Sequence, residues 1–265
     1  MTFRLVSALA LLLALGVVSP AAPALADITV IGDDAQDAFV GSGSLLLPSS
    51  MYDHGRGEAA NCPGCSWRAV LQCEMTTAGS CRGPARLCGV DGSWLRVYLT
   101  RPGGVEIDLG AACFGPNGPV SREDAEERIR EVIREVMPRL APVRQPADGV
   151  LPHLPVIFDA RQPAGTQVSD HVVVDLPVRL SVTPRWVWSF GDGASAVTDV
   201  PGGRWPDRSV SHVYDRSGRH DVRVQAVWSA TYIVDGLGPL QVDDPVIQEA
   251  ELPVSVGEGR AVLVR

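Results

Sequence analysis

The chain contains no lysine: all 23 basic residues are arginine, which reads as a genomic GC bias and not as a device. The arginines form no basic cluster, and the formal net charge is −8. Without a positive patch there is nothing to attract a polyanion, so nucleic acid is not expected as a partner. Long apolar runs are scarce as well. The run from Leu5 to Val18 is too short for a comfortable membrane span, and no later segment approaches that length. Catalytic signatures are also missing. There is no Gly-x-Ser-x-Gly elbow, no Walker or dinucleotide loop, and no HExxH. The histidines His54, His153, His171, His212 and His220 stand at no metal-ligand spacing. The expectation is a protein with no catalytic residue, no cofactor and no metal. No internal repeat is evident.

Arg4, the apolar run and Ala24-Leu25-Ala26 have the layout of a secretory leader with cleavage after Ala26. Losing Arg4 would make the mature chain, beginning at Asp27, one unit more negative. No cysteine follows the run, so a lipid anchor is not expected, and no C-terminal sorting signal is read. All six cysteines, Cys62, Cys65, Cys73, Cys81, Cys88 and Cys113, fall in one segment. An even number in a short segment of a secreted chain predicts disulfides, though spacing cannot choose among the fifteen pairings. Cys62-Pro-Gly-Cys65 has the spacing of a redox pair, so an extracytoplasmic thiol–disulfide oxidoreductase stands as a rival reading. Its βαβ surroundings are missing. A zinc site would need a second such pair or added histidines, and reduced thiolates.

Residues 27–61 are polar, rich in small residues and weakly patterned, and predict a flexible leader with at most one short strand. Residues 62–119 form the cysteine-rich head, with strands at Trp67–Cys73 and Ser93–Thr100. Gly103-Gly104 turns the chain into Val105–Leu109. Residues 120–138 predict a helix. Ser121 is the N-cap with Asp124 at the capping-box position, and Ala125, Ile129, Val132, Ile133 and Val136 make an apolar stripe ended by Pro138. Asp124–Arg128 and Glu126–Arg130 are expected as favourable four-residue pairs. A connector, 139–148, leads to a β-rich region, 149–265.

In that region Trp186, Trp188 and Phe190 alternate with Arg185, Val187 and Ser189, so the three aromatics share one strand face, read as core and not as a sugar platform. Gly191-Asp192-Gly193 then permits a sharp turn. His220 to Trp228 alternates again. Further strands are read at Gly149–Phe158, Val172–Val182, Val246–Val256 and Ala261–Arg265. Pro155, Pro177 and Pro253 predict edge positions or bulges. Trp205, in a Gly-Gly-Arg-Trp-Pro loop, is the better candidate for an exposed aromatic.

Trp188, Phe190, Gly191, Asp192 and Gly193, followed by His212, Tyr214 and Gly218, resemble the signature of the PKD (polycystic kidney disease) domain family. That family has Trp-Asp-Phe-Gly-Asp-Gly, a gap, then His-x-Tyr-x-x-x-Gly. The chain departs from it at Ser189, where the family has Asp, and at His220, where it has Tyr. The whole pattern resembles secreted proteins of high-GC bacteria in which a cysteine head and a short helix precede a PKD-like sandwich. The resemblance implies a mostly-β protein with an immunoglobulin-like sandwich over 149–265, extracellular or cell-wall associated, that binds or spaces and does not catalyse. The expected partner is an extracellular protein or a cell-envelope polysaccharide. The candidate contacts are Trp205 and Arg204 in the loop from Thr198 to Asp207. A purely structural spacer or assembly accessory is the remaining alternative, and calcium at Asp192, with Asp199 nearby, is a minor one.

Overall fold

The computed structural model describes residues 38–51, 53–73, 88–89 and 91–258. The secretory leader, residues 27–37, Cys81 and the expected strand Ala261–Arg265 lie outside the described residues, as does the side chain of Cys73. The described chain is mostly β, in several antiparallel sheets, with two helices.

Two long strands organise the C-terminal region: β10 (Leu176–Ser189) and β13 (Gly218–Val234), paired from Val178↔Val234 to Ser189↔Arg223. Alternation sends Val178, Leu180, Val182, Trp186 and Trp188 inward from β10. Val222, Val224, Ala226, Trp228, Ala230, Tyr232 and Val234 point inward from β13. Each long strand takes two shorter neighbours end to end on its outer edge. β9 (Gln167–Val173) and β11 (Ser195–Thr198) flank β10, and β15 (Val246–Val256) and β14 (Leu237–Gln241) flank β13. Pro184, which has no N–H to donate, falls in the gap between β9, last paired at Val182, and β11, first paired at Trp186. A second sheet, β7 (Val143–Gln145), β8 (Pro155–Asp159) and β12 (Ser211–Val213), shares the same core. In that core Phe158 lies 5.9 Å from Trp188 and 5.5 Å from Phe190 between ring centroids.

Two strand expectations change. Val172–Val182 is not one strand but the hairpin β9–β10, because the chain reverses at Val174 (φ 47°) and Asp175 (φ 65°). Asp235 (φ 45°) and Gly236 (φ 81°) make the same kind of turn between β13 and β14. Of the prolines, Pro253 sits on the edge strand β15 as expected, and Pro155 opens β8. Pro177 lies at neither an edge nor a bulge. It stands one residue beyond the β13 ladder, and its carbonyl accepts from the Asp235 N–H at 2.8 Å.

The N-terminal unit is the antiparallel sheet β1 (Ala38–Ser42), β3 (Ser66–Cys73), β4 (Ser93–Thr100) and β5 (Glu106–Phe114). One face buries Trp67, Ala69, Leu95, Val97, Leu99, Leu109, Ala112 and Phe114 in a core of its own. Arg68–Glu106 and Arg96–Asp108 ion pairs run across the other. The expectation of a flexible leader is corrected here. Residues 38–60 supply β1, β2 (Leu45–Leu46) and α1 (Asp53–Ala60), and Leu45, Leu46 and Leu47 are buried. Local propensity hides α1, whose sequence Asp-His-Gly-Arg-Gly-Glu-Ala-Ala carries two glycines. Tertiary packing requires one of them: a Cβ on Gly55 would come within 2.9 Å of Leu109 Cδ2.

Helix α2 (Arg122–Val136) follows β6 (Val120–Ser121), and Ser121 Oγ caps it by accepting from the Asp124 N–H at 3.0 Å. Ala125, Ile129 and Ile133 join the core of the C-terminal sheets, so the helix docks there; Val136 at the end of the expected stripe is exposed. Its ion pairs also differ from expectation. Arg128 pairs with Glu131 and Arg130 with Glu127. Glu126 turns inward, taking Arg122 at 2.6 Å and the Tyr232 hydroxyl at 3.2 Å. Arg56, buried in α1, donates to the carbonyls of Leu47 at 3.0 Å and Asp235 at 2.8 Å, tying both units together.

Candidate functional site

The signature residues converge at one end of the C-terminal sheets. Trp188 and Phe190 are buried, and the chain leaves β10 through Gly191 (φ 83°). A Cβ there would lie 2.9 Å from both the N and the O of Asp221, so only glycine permits this turn. Asp192 closes the turn, with Oδ1 accepting from the Ala194 N–H at 3.0 Å and Oδ2 2.6 Å from His212 Nε2. Gly193 (φ 98°) completes it. The His212 ring stacks on Phe190 at 4.3 Å and meets Tyr214 edge-on at 4.7 Å, and Tyr214 stacks on His220 at 4.5 Å. Tyr214 is fully buried, and its hydroxyl donates to the Phe190 carbonyl at 3.1 Å. Gly218 (φ 148°) opens β13.

Electrostatics fit a structural use of these groups. Burial alone would raise the Asp192 carboxyl. The His212 hydrogen bond, the Ala194 N–H and the charge on His212 outweigh it and hold the carboxyl below its usual value. Burial, with a smaller push from Asp192, raises the Tyr214 hydroxyl to about 12. Of the two carboxylates named for calcium, Asp192 is engaged by His212, and Asp199 pairs with Arg185 at 3.2 Å. Among the described residues, no group of three or more His, Cys, Asp or Glu is placed to hold a metal ion.

Trp205 behaves differently from the strand tryptophans. Trp186, Trp188 and Trp228 are at most 1% exposed, whereas Trp205 is 62% exposed. Its loop is held by backbone. Gly202 (φ 81°) bridges Asp159, Ala160 N–H donates to the Pro201 carbonyl at 2.8 Å, and Trp205 N–H donates to Gln145 Oε1 at 2.7 Å. A Cβ on Gly202 would meet the Phe158 carbonyl oxygen at 2.0 Å. Asp207 caps the turn through the Ser209 N–H, which lowers its carboxyl. Arg204 is exposed on the same loop. The guanidinium over the indole, however, belongs to Arg208, 4.4 Å from the ring centroid. Arg208 and Gln145 were missed in the sequence. Nothing short-range pairs residue 145 with 205, and Arg208 differs in no visible way from Arg204.

The cysteines divide into Cys62–Cys65 and Cys88–Cys113 disulfides among the described residues. Cys62-Pro-Gly-Cys65 follows the C-terminal end of α1 and precedes β3. A helix N-terminus that would lower a thiol's pKa is therefore not at hand, and Cys65 is buried. The oxidoreductase reading is not favoured. Disulfides fit an oxidising, extracellular compartment. Among the described residues no helix is long and apolar enough to cross a membrane.

No protein-family model and no curated protein matches the chain. A solved structure that it resembles is the PKD domain of the human VPS10 domain-containing receptor SorCS2. The likeness is at 20% identity over 48% of this chain and 78% of that one, with a TM-score of 0.28.

Proposed function

We propose that the chain is a non-catalytic, secreted or cell-wall-associated interaction module, in which a PKD-like immunoglobulin-type sandwich presents the loop 198–207 to a partner. The partner is an extracellular protein or a cell-envelope polysaccharide, and Trp205 with Arg204 makes the contact. The observation that carries this reading is the contrast between Trp205 and the strand tryptophans. A large aromatic held in solvent by a backbone-anchored loop gains its apolar burial only when something covers it. The anchoring also lowers the entropy cost of binding. The signature residues support a structural role for the sandwich end, since Asp192, His212, Phe190 and Tyr214 satisfy one another.

The test is a cross-linking pull-down of the oxidised chain from Asp27 against the producing cell's envelope and secretome. Trp205→Ala and Arg204→Ala should each reduce capture of the same partner while leaving the unfolding midpoint in place. Undiminished capture by Trp205→Ala would remove the loop from the contact and leave the spacer reading.

A further inference from the structure

Arg208 holds its guanidinium carbon 4.4 Å from the centroid of the Trp205 ring, and Arg204 stands exposed one residue before that ring. Neither is in an ion pair among the described residues. The arginines of β10 and β13 behave otherwise: Arg179, Arg185, Arg219 and Arg223 each hold a carboxylate. The loop's own acid does not neutralise the pair. Asp207 accepts from the Ser209 N–H, and a Cβ on Gly203 would run into its Oδ2, so this carboxylate lies against the loop backbone.

At physiological ionic strength charge is screened over about 8 Å, so this pair, and not the net charge of −8, governs what approaches the ring. Two guanidiniums match single carboxylates, not the phosphate run of a nucleic acid. The rest of the loop surface narrows the occupant further. Trp205 is 62% exposed with Arg208 already over it, and Val200 is the only other large apolar side chain exposed in the loop 198–207. A protein interface buries about 800 Å² per partner and rings its aromatic anchor with contacts that exclude water. One indole and one valine supply little of that, but they suffice for one sugar ring. The π face is negative, and it attracts the polarised C–H bonds of a pyranose as it attracts Arg208.

We propose that the loop binds an acidic polysaccharide, with a uronic-acid ring stacked on the indole of Trp205 and its carboxylate held by Arg204 and Arg208. Arginine supplies paired N–H donors that fit a carboxylate, and such charge-assisted bonds are about twice as strong as neutral ones. Gln145 positions the site, because its Oε1 holds the Trp205 N–H before any ligand arrives. The proposal rests on the reading that the loop 198–207 makes the contact. Within that reading it selects a carboxylate-bearing sugar, and neither a neutral one nor a protein.

The probe is tetragalacturonate, titrated into the oxidised, ¹⁵N-labelled chain from Asp27, with its methyl ester and tetraglutamate as controls. Trp205→Phe identifies the indole resonance by its disappearance. Tetragalacturonate should shift that resonance to saturation, and neither control should. Arg204→Gln/Arg208→Gln should weaken binding about tenfold, the worth of one hydrogen bond to a charged group. Trp205→Ala, followed on the other shifted amides, should weaken it at least as much. Thermal midpoints should not move, since these side chains are exposed. An unmoved indole resonance overturns the proposal. So does equal binding of the ester, which would mean a neutral sugar, or of tetraglutamate, which would mean an acidic protein segment. The underlying reading fails separately: it is lost only if Trp205→Ala captures the envelope or secretome partner undiminished.

Discussion

The Tyr214 hydroxyl donates to the Phe190 carbonyl at 3.1 Å across 24 residues of sequence, from the segment after β12 to the end of β10. That bond ties together the two sheets of the C-terminal core. Tyr214→Phe keeps the ring between His212 and His220 and removes only the donor. It should cost about 1–3 kcal/mol, the penalty for a buried acceptor left unpaired. Urea denaturation, read as a lower midpoint with an unchanged slope, checks this.

The Asp192–His212 contact predicts a pH dependence. Despite its partial burial, the Asp192 carboxyl is held below its ordinary value by the His212 hydrogen bond and the Ala194 N–H. A depressed carboxyl contributes stability that is present above its unfolded pKa and is lost as pH falls through the folded one. Asp192→Asn should therefore be less stable than the parent at neutral pH. The two should converge as pH falls below about 4, because the other carboxylates titrate equally in both. Parallel denaturation curves from pH 7 to pH 2.5 test the convergence; a constant gap would refute the linkage.

The two disulfides should contribute unequally. Cys88–Cys113 spans 25 residues and Cys62–Cys65 only 3. Loop-closure entropy gives about 3.5 kcal/mol for the first and about 2 for the second. Replacing each pair by alanine and comparing thermal midpoints should rank Cys88/Cys113 as the larger loss. The reverse order would mean that the Cys65 packing contact outweighs the entropy.

Glu126 is the buried charge that joins α2 to β13. It is 4% exposed and accepts from Arg122, from the Tyr232 hydroxyl and, at 3.3 Å, from the Asp243 N–H. Burial, with the carboxylate beside it, pushes the Tyr232 hydroxyl well above its ordinary value. Glu126→Ala should cost about 1–3 kcal/mol, because it leaves the buried Tyr232 hydroxyl without its acceptor, while Arg122 keeps the Gln241 carbonyl at 2.7 Å. Glu126→Gln, which keeps an acceptor, should cost less. Hydrogen exchange should show α2 amides losing protection in the alanine variant.

Much of the C-terminal core was legible because its signal is short-range and repetitive. Strict alternation from Val178 through Trp188 and from Val222 through Val234 has one burial solution. Ser121 caps its helix through a bond to a neighbour three residues away, which spacing alone reveals. Asp235-Gly236 is an equally local hairpin signal. The break at Val174-Asp175 is not, because a β-branched residue is the last expected at positive φ. It is held there with Asp175 receiving the Asn117 side chain at 2.8 Å, a partner 58 residues away.

The candidate site divides along the same line. Burial of Trp188 and Phe190 and exposure of Trp205 followed from strand period and loop composition. Which arginine covers Trp205, and that Gln145 holds it, depended on residues that meet only after β7 and β8 pair. By itself the sequence determined the alternation within the strands, the helix and its cap, because each is written in contacts within a few residues; that the Trp strand continues back to Leu176 as one strand was decided by the turn at Val174-Asp175. Tertiary structure decided the order in residues 38–60, the docking of α2 and the inward turn of Glu126. In each of these the stabilising partner lies far along the chain, where no local pattern can name it.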